Sequence, residues 1–80
     1  MNERQYTELL WAKEFGVNLQ RVLHRKGVTQ GYLAKELNTS DAVISRYITG
    51  TVVPSAYRAC QIAEVLGCDV SELVKTGYDN

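Results

Sequence analysis

The chain is short of proline, of cysteine and of net charge. One proline and six glycines in 80 residues rule out a low-complexity or proline-rich polymer. Two cysteines are too few for a disulfide scaffold, so a reducing compartment, the cytoplasm, is the expectation. No apolar run approaches the ~20 residues of a membrane span. No basic start leads into an apolar stretch as a secretion signal would. Secretion and membrane insertion are therefore not expected. Asn-Gly and Asp-Gly pairs are absent and period-2 alternation is scarce, which argues against hairpins. There is no internal repeat. What remains is a chain that hides roughly 60% of its unfolded surface on folding, enough for one domain with one core.

Nine Lys+Arg balance nine Asp+Glu, but the charge is unevenly spread. Residues 1–14 set Arg4 and Lys13 against Glu3, Glu8 and Glu14, a net −1. Residues 15–54 carry Arg21, Arg25, Lys26, Lys35 and Arg46 against Glu36 and Asp41, a net +3. Residues 55–80 set Arg58 and Lys75 against Glu64, Asp69, Glu72 and Asp79, a net −2. One face can thus carry a field that the whole molecule does not.

The punctuation is helical. Gly27, Gly50 and Gly67 each follow a stretch of 3.6-residue apolar spacing, where a left-handed cap is wanted. Trp11, Phe15, Leu19, Val22 and Leu23 form a first stripe, interrupted by Gly16 at ~1 kcal/mol relative to alanine. Either one helix runs from about Glu8, or a short N-terminal helix precedes another starting near Phe15. Thr29 is placed to cap a second helix with Leu33, Ala34 and Leu37 inward, although Tyr32 stands where a capping box needs Glu or Gln. After Asn38, which tolerates the left-handed conformation, Ser40 caps a third helix with Ile44, Tyr47 and Ile48 on one side. Thr51-Val52-Val53-Pro54 reads as a loop. Ser55 opens a fourth helix with Ala59, Ile62, Ala63 and Leu66 inward, and Asp69-Val70-Ser71-Glu72 reads as a capping box opening a fifth. The fold class is all-α. The chain divides into an N-terminal helical extension (1–14), a five-helix domain (15–76) and a frayed tail (77–80).

Two short helices separated by Asn38-Thr39 make a tight corner that exposes the outer face of the second. Gln30-x-x-Leu33-Ala34-x-x-Leu37-Asn38-x-Ser40-x-x-x-Ile44-Ser45-Arg46-Tyr47, then Gly50 and Pro54, resembles the phage-repressor and Cro-like helix-turn-helix family. The match continues through Ile62-Ala63-x-x-Leu66-Gly67 and Val70-x-Glu72-Leu73. It spans roughly residues 15–74. The resemblance implies a compact lambda-repressor-like bundle whose third helix enters the DNA major groove. That groove is ~12 Å wide and admits one helix, whose N-terminal residues reach base edges.

With Ile44, Tyr47 and Ile48 inward, Asp41, Ala42, Ser45 and Arg46 are left outside, and they match the family's base-facing positions. Arg46 can grip guanine in a bidentate contact worth ~1–3 kcal/mol of discrimination, or serve as a solvated charge or a phosphate contact. Asp41 can accept from cytosine N4, or simply favour the positive end of its helix. Ala42, and Val43 beside it, can meet a thymine methyl or merely permit close approach. Gln30 falls where the family places a phosphate-binding residue, and free N–H groups at a helix start attract an anion. Thr29, Ser40, Thr49 and Thr51 are hydroxyl donors at helix ends and in the loop; Thr29 and Ser40 also read as plain caps.

Two features depart from the family pattern. An arginine in the first helix commonly pairs with a glutamate near the end of the third, and Leu23 and Ile48 stand at those places. Exchanging both partners for apolar residues is often neutral, whereas losing one costs ~3–5 kcal/mol. The loop Thr51-Val52-Val53 lacks the family's basic residues, which predicts weaker phosphate binding.

The other chemical side chains read as structural. His24 with Arg25 and Lys26 makes a solvated basic helix end. Cys60 and Cys68 lack the partners of a zinc site, and Cys68 packs as a small hydrophobe. No nucleophile–base pair, carboxylate pair or phosphate loop can be assembled, so neither an enzyme nor a metal, cofactor or small-molecule ligand is expected. The expectation is a sequence-specific regulator of transcription, a repressor from a phage, mobile element or toxin–antitoxin operon, bound to duplex DNA as a homodimer. One module covers only ~600–1,000 Å², and pairing two restores affinity. The candidate dimer surfaces are Val70, Val74 and Tyr78, or Tyr6, Leu10 and Trp11. The rival is a protein–protein interaction module that kept the fold and lost DNA, favoured by Asp41 and the zero net charge.

Overall fold

The computed structural model describes residues 2–75 and contains five helices there. They are α1 (Glu3–Lys26), α2 (Gln30–Glu36), α3 (Asp41–Thr49), α4 (Ala56–Leu66) and α5 (Ser71–Val74). The expected tail, 77–80, and Tyr78 lie outside the described residues. Each boundary has a local cause. Asn2 accepts from the Gln5 N–H while the Gln5 side chain accepts from the Asn2 N–H, a capping box that starts α1 at Glu3, five residues before the expected Glu8. Thr29, Ser40 and Ser55 each accept from the backbone N–H three residues on. At α5 the expected box forms only in part: Glu72 accepts from the Asp69 N–H, but Asp69 accepts from the Ser71 N–H two residues on instead of from Glu72, and the N-cap itself is Val70. The first four helices end on left-handed residues, Gly27, Asn38, Gly50 and Gly67. The paired 6→1 and 5→2 bonds of a Schellman cap accompany each of them.

Gly16 does not break α1, which runs through it as one 24-residue helix. A short separate helix before Phe15 is therefore ruled out. The glycine serves a crossing instead. A Cβ there would stand 2.7 Å from the Tyr47 carbonyl oxygen and collide with that of Ile48. Half a turn away, a Cβ on Gly50 would meet the Lys13 Cα at 2.9 Å, and the Lys13 ammonium donates to the Thr49 carbonyl at 3.1 Å. The middle of α1 and the C-terminal end of α3 thus touch backbone to backbone.

Phe15, Leu19 and Val22 of α1 meet Leu33, Ile44, Ile62 and Leu73, one from each remaining helix, in a single core. Leu23 is buried and Ile48 half-buried against it, so both apolar replacements at the family's ion-pair positions belong to the core. Polar ties close the rear of the bundle. Buried Asn18 donates to the Leu73 and Lys75 carbonyls at 2.9 and 2.7 Å and accepts from Arg21. Arg25 pairs with Glu72 at 2.7 Å, and Lys26 donates to the Gly67 carbonyl. The basic end of α1 is therefore not simply solvated, because Arg25 and Lys26 hold α5 and the end of α4.

Candidate nucleic-acid interface

The corner between α2 and α3 is held by Asn38 at φ 56° and by the Thr39 N–H, which donates to the Ala34 carbonyl at 2.9 Å. Arg58 of α4 reaches the Leu37 carbonyl at 3.5 Å and braces the end of α2. Ile44 and Tyr47 anchor α3 from below, fully buried and nearly so, and the Tyr47 ring meets Phe15 edge-on. Asp41, Ala42, Ser45 and Arg46 consequently stand exposed together on the outer face. Val43 does not stand out with them; it is half-buried against the core.

The five expected phosphate ligands are all exposed as well. Thr29 and Gln30 start α2, Ser40 precedes α3, and Thr49 and Thr51 flank Gly50 at its end. The Thr29 and Ser40 hydroxyl oxygens accept from Tyr32 and Val43 N–H groups, which leaves each hydroxyl hydrogen free to donate. At the other end, the Thr49 and Thr51 hydroxyls both approach the Arg46 carbonyl at 3.3 Å. That oxygen already accepts from the Gly50 and Thr51 N–H groups. A carbonyl has two lone pairs, so these hydroxyls are over-supplied donors and can turn outward at small cost. Asp41 leans back over the corner, with its carboxylate oxygens within 4 Å of the Gly31 Cβ position.

Lys13, Asn18 and Arg58 are supports that sequence reasoning missed. Asn18 had a visible signal, a polar residue at i+3 from Phe15 on the apolar stripe; Lys13 and Arg58 had none, since their partners are backbone carbonyls of other helices. The cysteines are separate from this face. Cys60 is exposed, and burial, with Glu72 adding, pushes the half-buried Cys68 thiol up. Among the described residues no helix is long and apolar enough to cross a membrane.

Two short helices at a capped corner, the second anchored from behind and bare in front, define a helix-turn-helix DNA-binding domain. Residues 19–73 match the family model described as "Helix-turn-helix", and the chain belongs to that family, in its Cro/C1-type, lambda-repressor-like form. No curated protein and no solved structure matches the chain.

Proposed function

We propose that the protein is a cytoplasmic, sequence-specific regulator of transcription, a repressor, that inserts α3 into the major groove of duplex DNA as a two-fold dimer. The observation that carries this reading is the outer face of α3, where Asp41, Ala42, Ser45 and Arg46 are exposed while Ile44 and Tyr47 are locked into the core. Arg46 is the main base-reading residue, with a guanine O6/N7 pair as its target. Asp41, Ala42 and Ser45 complete the base-facing set. Thr29, Gln30, Ser40, Thr49 and Thr51 supply neutral donors to the flanking phosphates, which fix register without reading sequence. Of the two dimer surfaces considered, the N-terminal one keeps Tyr6 exposed, with Leu10 and Trp11 half-buried; Trp11, like Val70 and Val74 of the other surface, packs partly against the protein's own core.

The test is fluorescence anisotropy with duplexes selected from a random pool, read against salt. Binding should weaken steeply as salt rises. Arg46→Ala should cost ~1–3 kcal/mol and relax preference at one base pair per half-site, while Gln30→Ala weakens all sequences alike. Equal losses on every sequence from Arg46→Ala would remove the base-reading role. Failure to bind any duplex at low salt would favour the interaction-module reading.

A further inference from the structure

We infer that Asp41 acts as a discriminating charge that lowers the affinity of α3 for duplex DNA in general and so keeps this face off non-cognate sites. The inference rests on the DNA-binding reading above and adds a role opposite in sign to that of Arg46.

Asp41 is the first residue of α3 and is exposed. Its two carboxylate oxygens lie 3.8 and 3.9 Å from where a Cβ on Gly31 would stand. The side chain is therefore folded across the corner onto the first turn of α2 at Gly31, the residue after Gln30. Among the described residues it has no ion-pair partner; the two ion pairs there run Arg4–Glu8 and Arg25–Glu72. A negative charge with no cationic side-chain partner, eased only by the N-terminal ends of α2 and α3, thus sits between the starts of the two helices that a helix-turn-helix turns toward DNA.

Two consequences follow from chemistry. In the major groove a carboxylate finds a partner only in an exocyclic amino group, above all cytosine N4. Every other base edge leaves it desolvated and unpaired. The phosphates near Gln30 repel it throughout: at an effective dielectric constant of about 30 and a separation of about 7 Å, the penalty is roughly tenfold in affinity. Selectivity then comes from a cost imposed on wrong sites as well as from attraction to the right one. Of the cations on the helices at the corner, Arg58 is tied to the Leu37 carbonyl, whereas Lys35 and Arg46 are exposed and in neither ion pair, so Asp41 offsets part of the positive charge that this face carries.

Asp41→Asn removes the charge and keeps the size; Asp41→Ala also removes any amide that could read adenine. Binding of both variants to a mixed-sequence duplex is measured by anisotropy across a salt series, with circular dichroism to confirm the helices. Both should bind about tenfold tighter than wild type at low salt, with the gain shrinking as salt screens the repulsion that wild type suffers. Duplexes selected by wild type should carry an amino-bearing base at one fixed position per half-site, and those selected by Asp41→Ala should not. Unchanged or weaker binding of folded Asp41→Ala to mixed duplex would overturn the inference while leaving DNA binding intact. If wild type and both variants bind no duplex at all, the DNA reading fails and the inference falls with it.

Discussion

At the scale of single residues, the side chains that decide most are polar ones turned inward. Asn18 is 4% exposed and satisfies all of its hydrogen-bonding sides, giving two N–H bonds to the end of α5 and taking one from Arg21. Nothing else ties the Lys75 carbonyl to α1 by a direct hydrogen bond among the described residues. Replacing Asn18 by leucine fills similar space but strands the buried Leu73 carbonyl, while that of exposed Lys75 can turn to water, and a buried group left unpaired costs ~1–3 kcal/mol. Urea denaturation of Asn18→Leu should show a loss of that order; an unmoved midpoint would mean that α5 is held by packing alone. The interface residues behave oppositely. Asp41, Ser45 and Arg46 make few internal contacts, so their identity is free to answer to a partner rather than to stability.

At the scale of helices, the crossing of α1 over α3 sets two principles against each other. Helix propensity says that Gly16→Ala, inside a continuous helix, gains ~1 kcal/mol. Packing says the reverse, because the new methyl runs into the Tyr47 and Ile48 carbonyls, and backbone cannot step aside as a flexible side chain can. Overpacking of this kind costs ~1–3 kcal/mol, so the substitution should destabilise by about the difference or more. Chemical denaturation gives the sign directly, and a stabilised Gly16→Ala would place the two helices farther apart than described. The same crossing fixes the tilt of α3 through Gly50 and Lys13, so a packing defect at Gly16 should also weaken DNA binding.

At the scale of the whole molecule, charge is used for internal ties more than for a broad field. The Arg25 guanidinium donates to Glu72 and holds its carboxyl below the ordinary range, and the Ser71 backbone N–H does the same for Asp69. Both groups therefore ionise more readily when folded. Their contribution is fully present above the ordinary carboxylate range and disappears as pH falls through the depressed folded values, since the unfolded chain takes up protons first. Thermal melts followed by circular dichroism should lose midpoint temperature between near-neutral pH and about pH 3. Glu72→Gln should flatten that acid limb; an unchanged limb would assign the loss to other carboxylates.

Local signals along the chain were enough for α2 to α4 and for the identity of the exposed face, though not for the start of α1 at Glu3. Serine, threonine, asparagine and glycine at helix ends act through bonds three to five residues long, and the apolar period of α3 leaves Arg46 outside whatever the helix packs on. Those are local effects, readable in one dimension. Tertiary structure alone decided the rest: that Gly16 is a crossing point rather than a break, that Val43 turns inward, that Lys13, Lys26 and Arg58 reach distant carbonyls, and that Asp41 folds back onto α2. Each of these depends on atoms far apart in the chain meeting within a few ångströms, and no periodicity records such meetings.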